Sequence, residues 1–171
     1  MDVVILKGSN DDSGTDAVLR QKAEPVNPIN AEAVKIVEEM IGIMHQRKGV
    51  GLAGPQVGLK KRIFVIHIEG DVPRVFINPS IVATSQETVK LEEGCLSLPG
   101  IWADVIRPES VRVQAWNEKG RPFTIETGGI LARVILHEYD HLEGTLFIDR
   151  LLESKRNRIL AKLEKRQQLT T

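Results

Sequence analysis

Residues 135–144 read "ILHEYDHLEG", and the fold turns on whether they form a helix. His137 and His141 are four residues apart. On a helix that spacing sets their Cβ atoms roughly 5–6 Å apart on one face, so both imidazoles can reach one ion. Glu138 is rotated off that line, where it can handle a proton beside a metal without binding it. Just upstream, Ile130, Leu131, Val134, Ile135 and Leu136 make the segment apolar nearly all round. A helix of that kind is central and buried. Buried imidazoles and carboxylates need partners, which favours a metal site over a polar surface turn. Gly144 supplies the stop, so the helix is expected over about 129–142.

Two histidines do not complete a site. Cys95, in "EEGCLSLPG" (92–100), is the one cysteine of the chain. A lone cysteine is commonly a buried structural thiol, or it is a nucleophile paired with a histidine. Here Gly94 bares the backbone beside it, and Glu92, Glu93 and Ser97 give it a polar setting. A Cys-His-His set leaves a fourth tetrahedral position open to water, the mark of a catalytic centre. Upstream, Gly49, Gly51 and Gly54 match the spacing of a dinucleotide-binding loop. That motif needs a strand before it and a helix after it. Here a helix comes first and Pro55 follows, so the loop is read as bare backbone for a substrate, with Gln56 offering its amide.

The rest of the chain sets the frame. Its 171 residues suffice for one domain with a sizeable core and are too few to expect two. Lys plus Arg and Asp plus Glu both number 23, so no net charge draws the chain to nucleic acid or acidic membranes. A single cysteine excludes an intramolecular disulfide. The start, "MDVVILKGSNDD", lacks the marks of a signal or transit peptide. No run approaches the ~18 apolar residues of a membrane span. A cytoplasmic protein with no membrane association is expected.

"GSNDDSGTD" (8–16) is read as a polar loop. A helix runs from an Asn30 cap to about Lys48, with Val34, Val37, Ile41 and Met44 at helical spacing. Strands are expected at "RIFVIHI" (62–68) and "RVFINPSIVAT" (74–84). "TVKLEEGCLSLPG" (88–100) is a strand running into a turn, and "SVRVQAW" (110–116) pairs with "PFTIET" (122–127) as a hairpin. A C-terminal amphipathic helix, about 150–168, carries Leu152, Ile159, Leu160 and Leu163 on one face. Strands sit mostly between helices and do not alternate with them, which favours α+β with antiparallel sheets.

Three stretches together, "GVGLAGPQ" (49–56), "EGCLS" (93–97) and "HEYDH" (137–141), resemble the signature motifs of bacterial peptide deformylases in their order. The likeness runs from about Asp16 to Leu152. It implies a single α+β domain over 1–171, with antiparallel sheets wrapped around a central helix carrying HExxH. It implies removal of the formyl group from the N-terminal formyl-methionine of newly made chains. It also implies one divalent metal ion, natively Fe(II), with Zn, Ni or Co able to take its place. By the resemblance Cys95, His137 and His141 are the ligands and Glu138 the general base and acid. Gln56 and the Leu96 backbone N–H stabilise the oxyanion, and Gly51 bonds substrate backbone. Val50, Leu91, Ile130, Arg133 and Val134 line the methionine pocket beside His137.

Some positions depart from the pattern. Gly54 stands where alanine is usual, which reads as a looser loop. Leu136 stands where glutamine is frequent, and Ala17 where proline is usual. The chemistry also follows from residue types: a metal lowers the pKa of its water from 15.7 toward roughly 7, and Glu138 accepts the proton. Two alternatives stand beside this reading. One is an HExxH zinc endopeptidase with Glu143, Glu153 or Glu164 as third ligand. The other is a binding module whose structural metal recruits His45 or His67. The C-terminal helix holds Arg150, Lys155, Arg156, Arg158, Lys162, Lys165 and Arg166 against few acids. Deformylases with such a helix resemble ribosome-docking enzymes, so contact with ribosomal phosphates is the expectation for this face.

Overall fold

A computed structural model of the chain describes residues 1–8 and 14–170. Most of the expected polar loop, residues 9–13, therefore lies outside the described residues. Among the described residues there are four helices: α1 (Ala17–Arg20), α2 (Ala31–Gln46), α3 (Gly129–Leu142) and α4 (Glu153–Thr170). Seven strands accompany them: β1 (Gly51–Ala53), β2 (Ile63–Ile66), β3 (Arg74–Thr84), β4 (Thr88–Cys95), β5 (Leu98–Pro108), β6 (Ser110–Trp116) and β7 (Pro122–Gly128). All pairs of these strands are antiparallel, in a five-stranded sheet ordered β1-β2-β3-β6-β7 and a separate β4-β5 ribbon. The architecture is the expected α+β one.

The five-stranded sheet is covered on both faces at its β1–β3 end. Side chains alternate across a strand, and every residue of β2 is buried. Phe64 and Ile66 join the cluster formed with Ala132, Ile135 and Leu142 of α3. Ile63 and Val65 join the cluster formed with Val37, Met40 and Met44 of α2. The carboxamide oxygen of Asn30 accepts the N–H groups of Glu32 and Ala33 at 3.1 and 3.4 Å, capping α2 as its sequence suggests. The buried stripe of α2 is Ala33, Val37, Met40, Ile43 and Met44. It is rotated from the expected one, so Val34 and Ile41 are only half-buried.

Helix α3 ends at Leu142. Gly144 follows at φ +73, and the Thr145 N–H closes back on the Asp140 carbonyl at 2.9 Å. Ten residues of α3 are buried. Its first turn is an exception to the expected all-round burial, because Ile130 is 54% exposed. A third cluster joins β5 to α4 and the N-terminal segment through Leu6, Leu98, Val105, Phe147, Ile148 and Leu163. α4 rests on it through Ile159, Leu160 and Leu163, whereas Leu152 is 80% exposed and lies outside that face. A 3₁₀ turn, Phe147–Arg150, separates α3 from α4, so the last helix starts three residues later than expected. Two strands were not expected at all, β1 inside the glycine-rich loop and most of β5.

Candidate metal centre and cleft

The β4-β5 ribbon carries Cys95 to the side of α3 where His137 and His141 point. Among the described residues these three form the one group able to hold an ion, with donor atoms all within 4.8 Å of one another. Cys95 Sγ lies 3.4 Å from His141 Nε2. A bulge interrupts the ribbon between Gly94 and Cys95, and bulges re-aim side chains beside sites. The other nitrogen of His137, Nδ1, sits 2.8 Å from Glu93 Oε1, which fixes the ring and leaves Nε2 for the centre.

Glu93 is itself held by a buried network. Arg107 donates to it through Nε and Nη2 at 2.6 and 3.0 Å, and Arg133 Nη1 donates at 2.6 Å. Arg107 also reaches Asp140 at 2.9 Å, and Asp140 accepts Arg150 at 2.7 and 2.9 Å. Glu93, Arg107 and Asp140 escaped the sequence reading as site residues. Asp140 had a signal, since it lies three residues from His137 on the same helix. Arg107 had none.

Charge follows from this packing. Burial raises the Glu93 carboxyl, but His137 and Arg107 outweigh it and hold the group at about 2. Burial alone would push His137 down; bonds to Cys95 and Glu93 and the nearby Glu138 carry it up to about 10. A divalent ion would take the place of that proton. Burial, then the positive charges of His137 and Arg107, holds His141 well below the usual imidazole range, neutral and able to donate its lone pair. Burial lifts Glu138 to about 7, with His137 pulling the other way. A carboxyl in that range can both accept and return a proton near neutrality.

Among the described residues, two buried side-chain atoms have no hydrogen-bond partner, Glu138 Oε2 and His141 Nδ1. Buried polar atoms are nearly always paired, so the orphaned carboxylate oxygen marks a place for a ligand or water. One thiolate and two imidazoles fit a d-block ion such as Zn or Fe(II). The residues present therefore fit a metal.

The centre opens into a cleft of about 670 Å³ lined by Val50, Gly51, Gln56, Cys95, Leu96, Ile130, Arg133, Val134, His137 and Glu138. Leu91 does not line it; it stands 40% exposed farther along β4. Arg133 contributes its stem, because its guanidinium is spent on Glu93 and on the Val105 and Val89 carbonyls. Gln56 is 1% exposed. Its Oε1 accepts the Ala53 N–H at 2.9 Å, and its Nε2 donates to Cys95 Sγ and Ser97 Oγ, both at 3.3 Å.

The glycines have steric reasons. A Cβ on Gly51 would meet Glu138 Oε1 at 2.5 Å. One on Gly54 would meet the Lys61 carbonyl at 2.6 Å, so this glycine lets the turn close on residues 59–61 and does not loosen it. His45 and His67 bond to each other at 2.7 Å, away from Cys95, and neither completes a structural metal site. Glu143, a possible endopeptidase ligand, is engaged by Arg62 and Tyr139 at 3.1 Å each.

The family model described as Polypeptide deformylase matches residues 12–157. The chain belongs to the polypeptide deformylase family. A peptide deformylase of Clostridium botulinum (strain Alaska E43 / Type E3) is 54% identical over 135 residues, 79% of this chain and 90% of its own. One from Neisseria meningitidis serogroup C is 45% identical over 157 residues, 91% of this chain and 93% of its own. The solved structure of a Synechococcus elongatus peptide deformylase in complex with actinonin matches with a TM-score of 0.84 at 42% identity, covering 95% of this chain and 85% of that one. The Thermus thermophilus peptide deformylase matches at 0.85 and 38% identity, covering 97% and 99%. Family membership makes the protein an enzyme, a metal-dependent hydrolase that removes N-terminal formyl groups from peptides.

Proposed function

We propose that the protein deformylates the N-terminal formyl-methionine of newly made polypeptides at a single ion held by Cys95, His137 and His141. The supporting observation is the convergence of these donors within 4.8 Å beside the unpaired carboxylate oxygen of Glu138. A divalent ion held by these residues would lower the pKa of a water and supply positive charge for a developing oxyanion. Glu138 takes the proton of the attacking water. As the formyl C–N bond breaks, it returns that proton to the leaving nitrogen, and formate departs. Gln56 Nε2 and the Leu96 backbone N–H donate to the oxyanion. The Gly51 backbone bonds the peptide. The methionine side chain lies against Val50, Ile130, Val134 and the stem of Arg133.

The native ion in this reading is Fe(II), which a thiolate with two imidazoles suits; Zn, Ni or Co can occupy the same donors. The test is anaerobic purification with metal analysis, then formate release from formyl-Met-Ala beside an unformylated internal-peptide substrate. Iron-loaded protein that releases no formate would overturn the reading.

The enzyme works in the cytoplasm, where nascent chains emerge; no helix among the described residues is long and apolar enough to cross a membrane. Helix α4 docks on the ribosome. Six basic side chains against two acidic ones in α4 support this, since phosphate contacts attract such a face. Co-sedimentation with ribosomes should fall steeply as salt rises, and binding indifferent to salt would count against it.

A further inference from the structure

Trp102 is 64% exposed and lines the mouth of the cleft. Its position is built. Trp102 faces Gly94 across the β4-β5 ribbon, and a Cβ on Gly94 would lie 2.4 Å from the indole ring. The glycine therefore leaves the room in which the ring packs close to the backbone next to Cys95. Gly94 and Glu93 point to opposite faces of the ribbon. Glu93 faces His137 and the interior, while Trp102 stands on the other face. Val50 and Ile130, 50% and 54% exposed, are also apolar and also line the cleft. Large apolar groups left bare around one concavity mark a ligand surface.

We propose that Trp102 is a stacking platform for the side chain immediately after methionine, so that the enzyme favours formyl-methionyl peptides whose second residue is aromatic or large and apolar. This rests on the deformylase reading of the cleft. The methionine side chain is taken up on the α3 side by Val134, Ile130 and the stem of Arg133. In an extended peptide the next side chain points the opposite way. The exposed ring at the mouth offers it a large apolar surface. Ring-on-ring contact adds to simple burial and prefers offset stacking.

The test is kcat/KM for formyl-Met-Phe-Ala, formyl-Met-Leu-Ala and formyl-Met-Ser-Ala with the native enzyme, Trp102→Ala and Trp102→Phe. The native enzyme should prefer Phe over Ser by roughly 2- to 10-fold, the range of one aromatic contact. That ratio should collapse toward unity in Trp102→Ala, through a higher KM for the phenylalanyl peptide, and return in Trp102→Phe. Formate release from formyl-Met-Ser-Ala by the native enzyme separately checks the deformylase reading. A second measurement uses Trp116→Phe, which leaves Trp102 as the only indole. Binding of the product Met-Phe-Ala should change its fluorescence more than Met-Ser-Ala does. A Phe-to-Ser ratio equal in native and Trp102→Ala enzymes, or a fall in kcat for all three peptides alike, overturns the proposal.

Discussion

The roles proposed for three side chains at the centre differ, and substitution should separate them. Glu138 is not one of the three donors, so Glu138→Ala should keep the ion and lose ~10²–10⁴ in rate. Cys95→Ala should lose both, measured by metal content beside turnover. Normal turnover in the Glu138 variant would sink the proton role. Gln56→Leu should lower kcat by about 10²–10³ with metal retained; if KM alone rose, Gln56 would be a uniform binding group. Arg107 is 3% exposed and satisfies two carboxylates at once. Arg107→Leu leaves Glu93 and Asp140 short of a partner. Breaking a buried pair on one side costs about 3–5 kcal/mol, so the unfolding free energy should fall by that amount, read as a lower denaturant midpoint at constant slope.

At the scale of elements, α4 carries two loads. Leu163 is 3% exposed and joins the cluster with Leu6, Phe147 and Ile148. Removing the helix would uncover that cluster, and Leu163→Ala alone should cost about 2–5 kcal/mol. Ribosome docking is therefore better tested by replacing Lys155, Arg158, Lys162 and Lys165 with glutamine. Thermal stability should hold while co-sedimentation falls; unchanged sedimentation would reduce the helix to a cover for the core. Helices α2 and α3 were legible because caps, periodicity and Gly144 all agreed. Strand β5 was not. Its buried row is Ile101, Ala103, Val105 and Arg107, while Trp102 and Ile106 face out. An inward arginine and outward tryptophan and isoleucine invert the expected polarity, so no alternation could be seen. Arg107 points inward because Glu93 and Asp140 wait there, a long-range fact that local pattern cannot hold. The clustering of Cys95, His137 and His141 was legible for the opposite reason, since two of its members share one helix turn and the third is the lone cysteine. Leu91 stands outside the residues that line the cleft, and residue type alone does not say how far along β4 a bound peptide reaches.

Over the whole molecule, α3 and the β4-β5 ribbon meet at the charged seam and the donor set, with the five-stranded sheet on α3's other side. Anything that binds the native state alone raises its stability. Adding Zn or Co to metal-free protein should therefore raise Tm, and the same addition to Cys95→Ala should raise it far less. Equal shifts would mean that the ion binds elsewhere.

The thiolate arrives from a hairpin and the imidazoles from a helix that follows two further strands, so the three donors are strangers until the chain has collapsed. Their meeting is thus a clock for the folding reaction. Co(II) bound to a thiolate gains a near-ultraviolet charge-transfer band, and refolding in its presence would time the docking of the ribbon on α3. Because such non-local contacts close late, that band should rise no sooner than the tertiary signal of the core. A colour that came first would place the hairpin and helix together in the nucleus, ahead of the sheet.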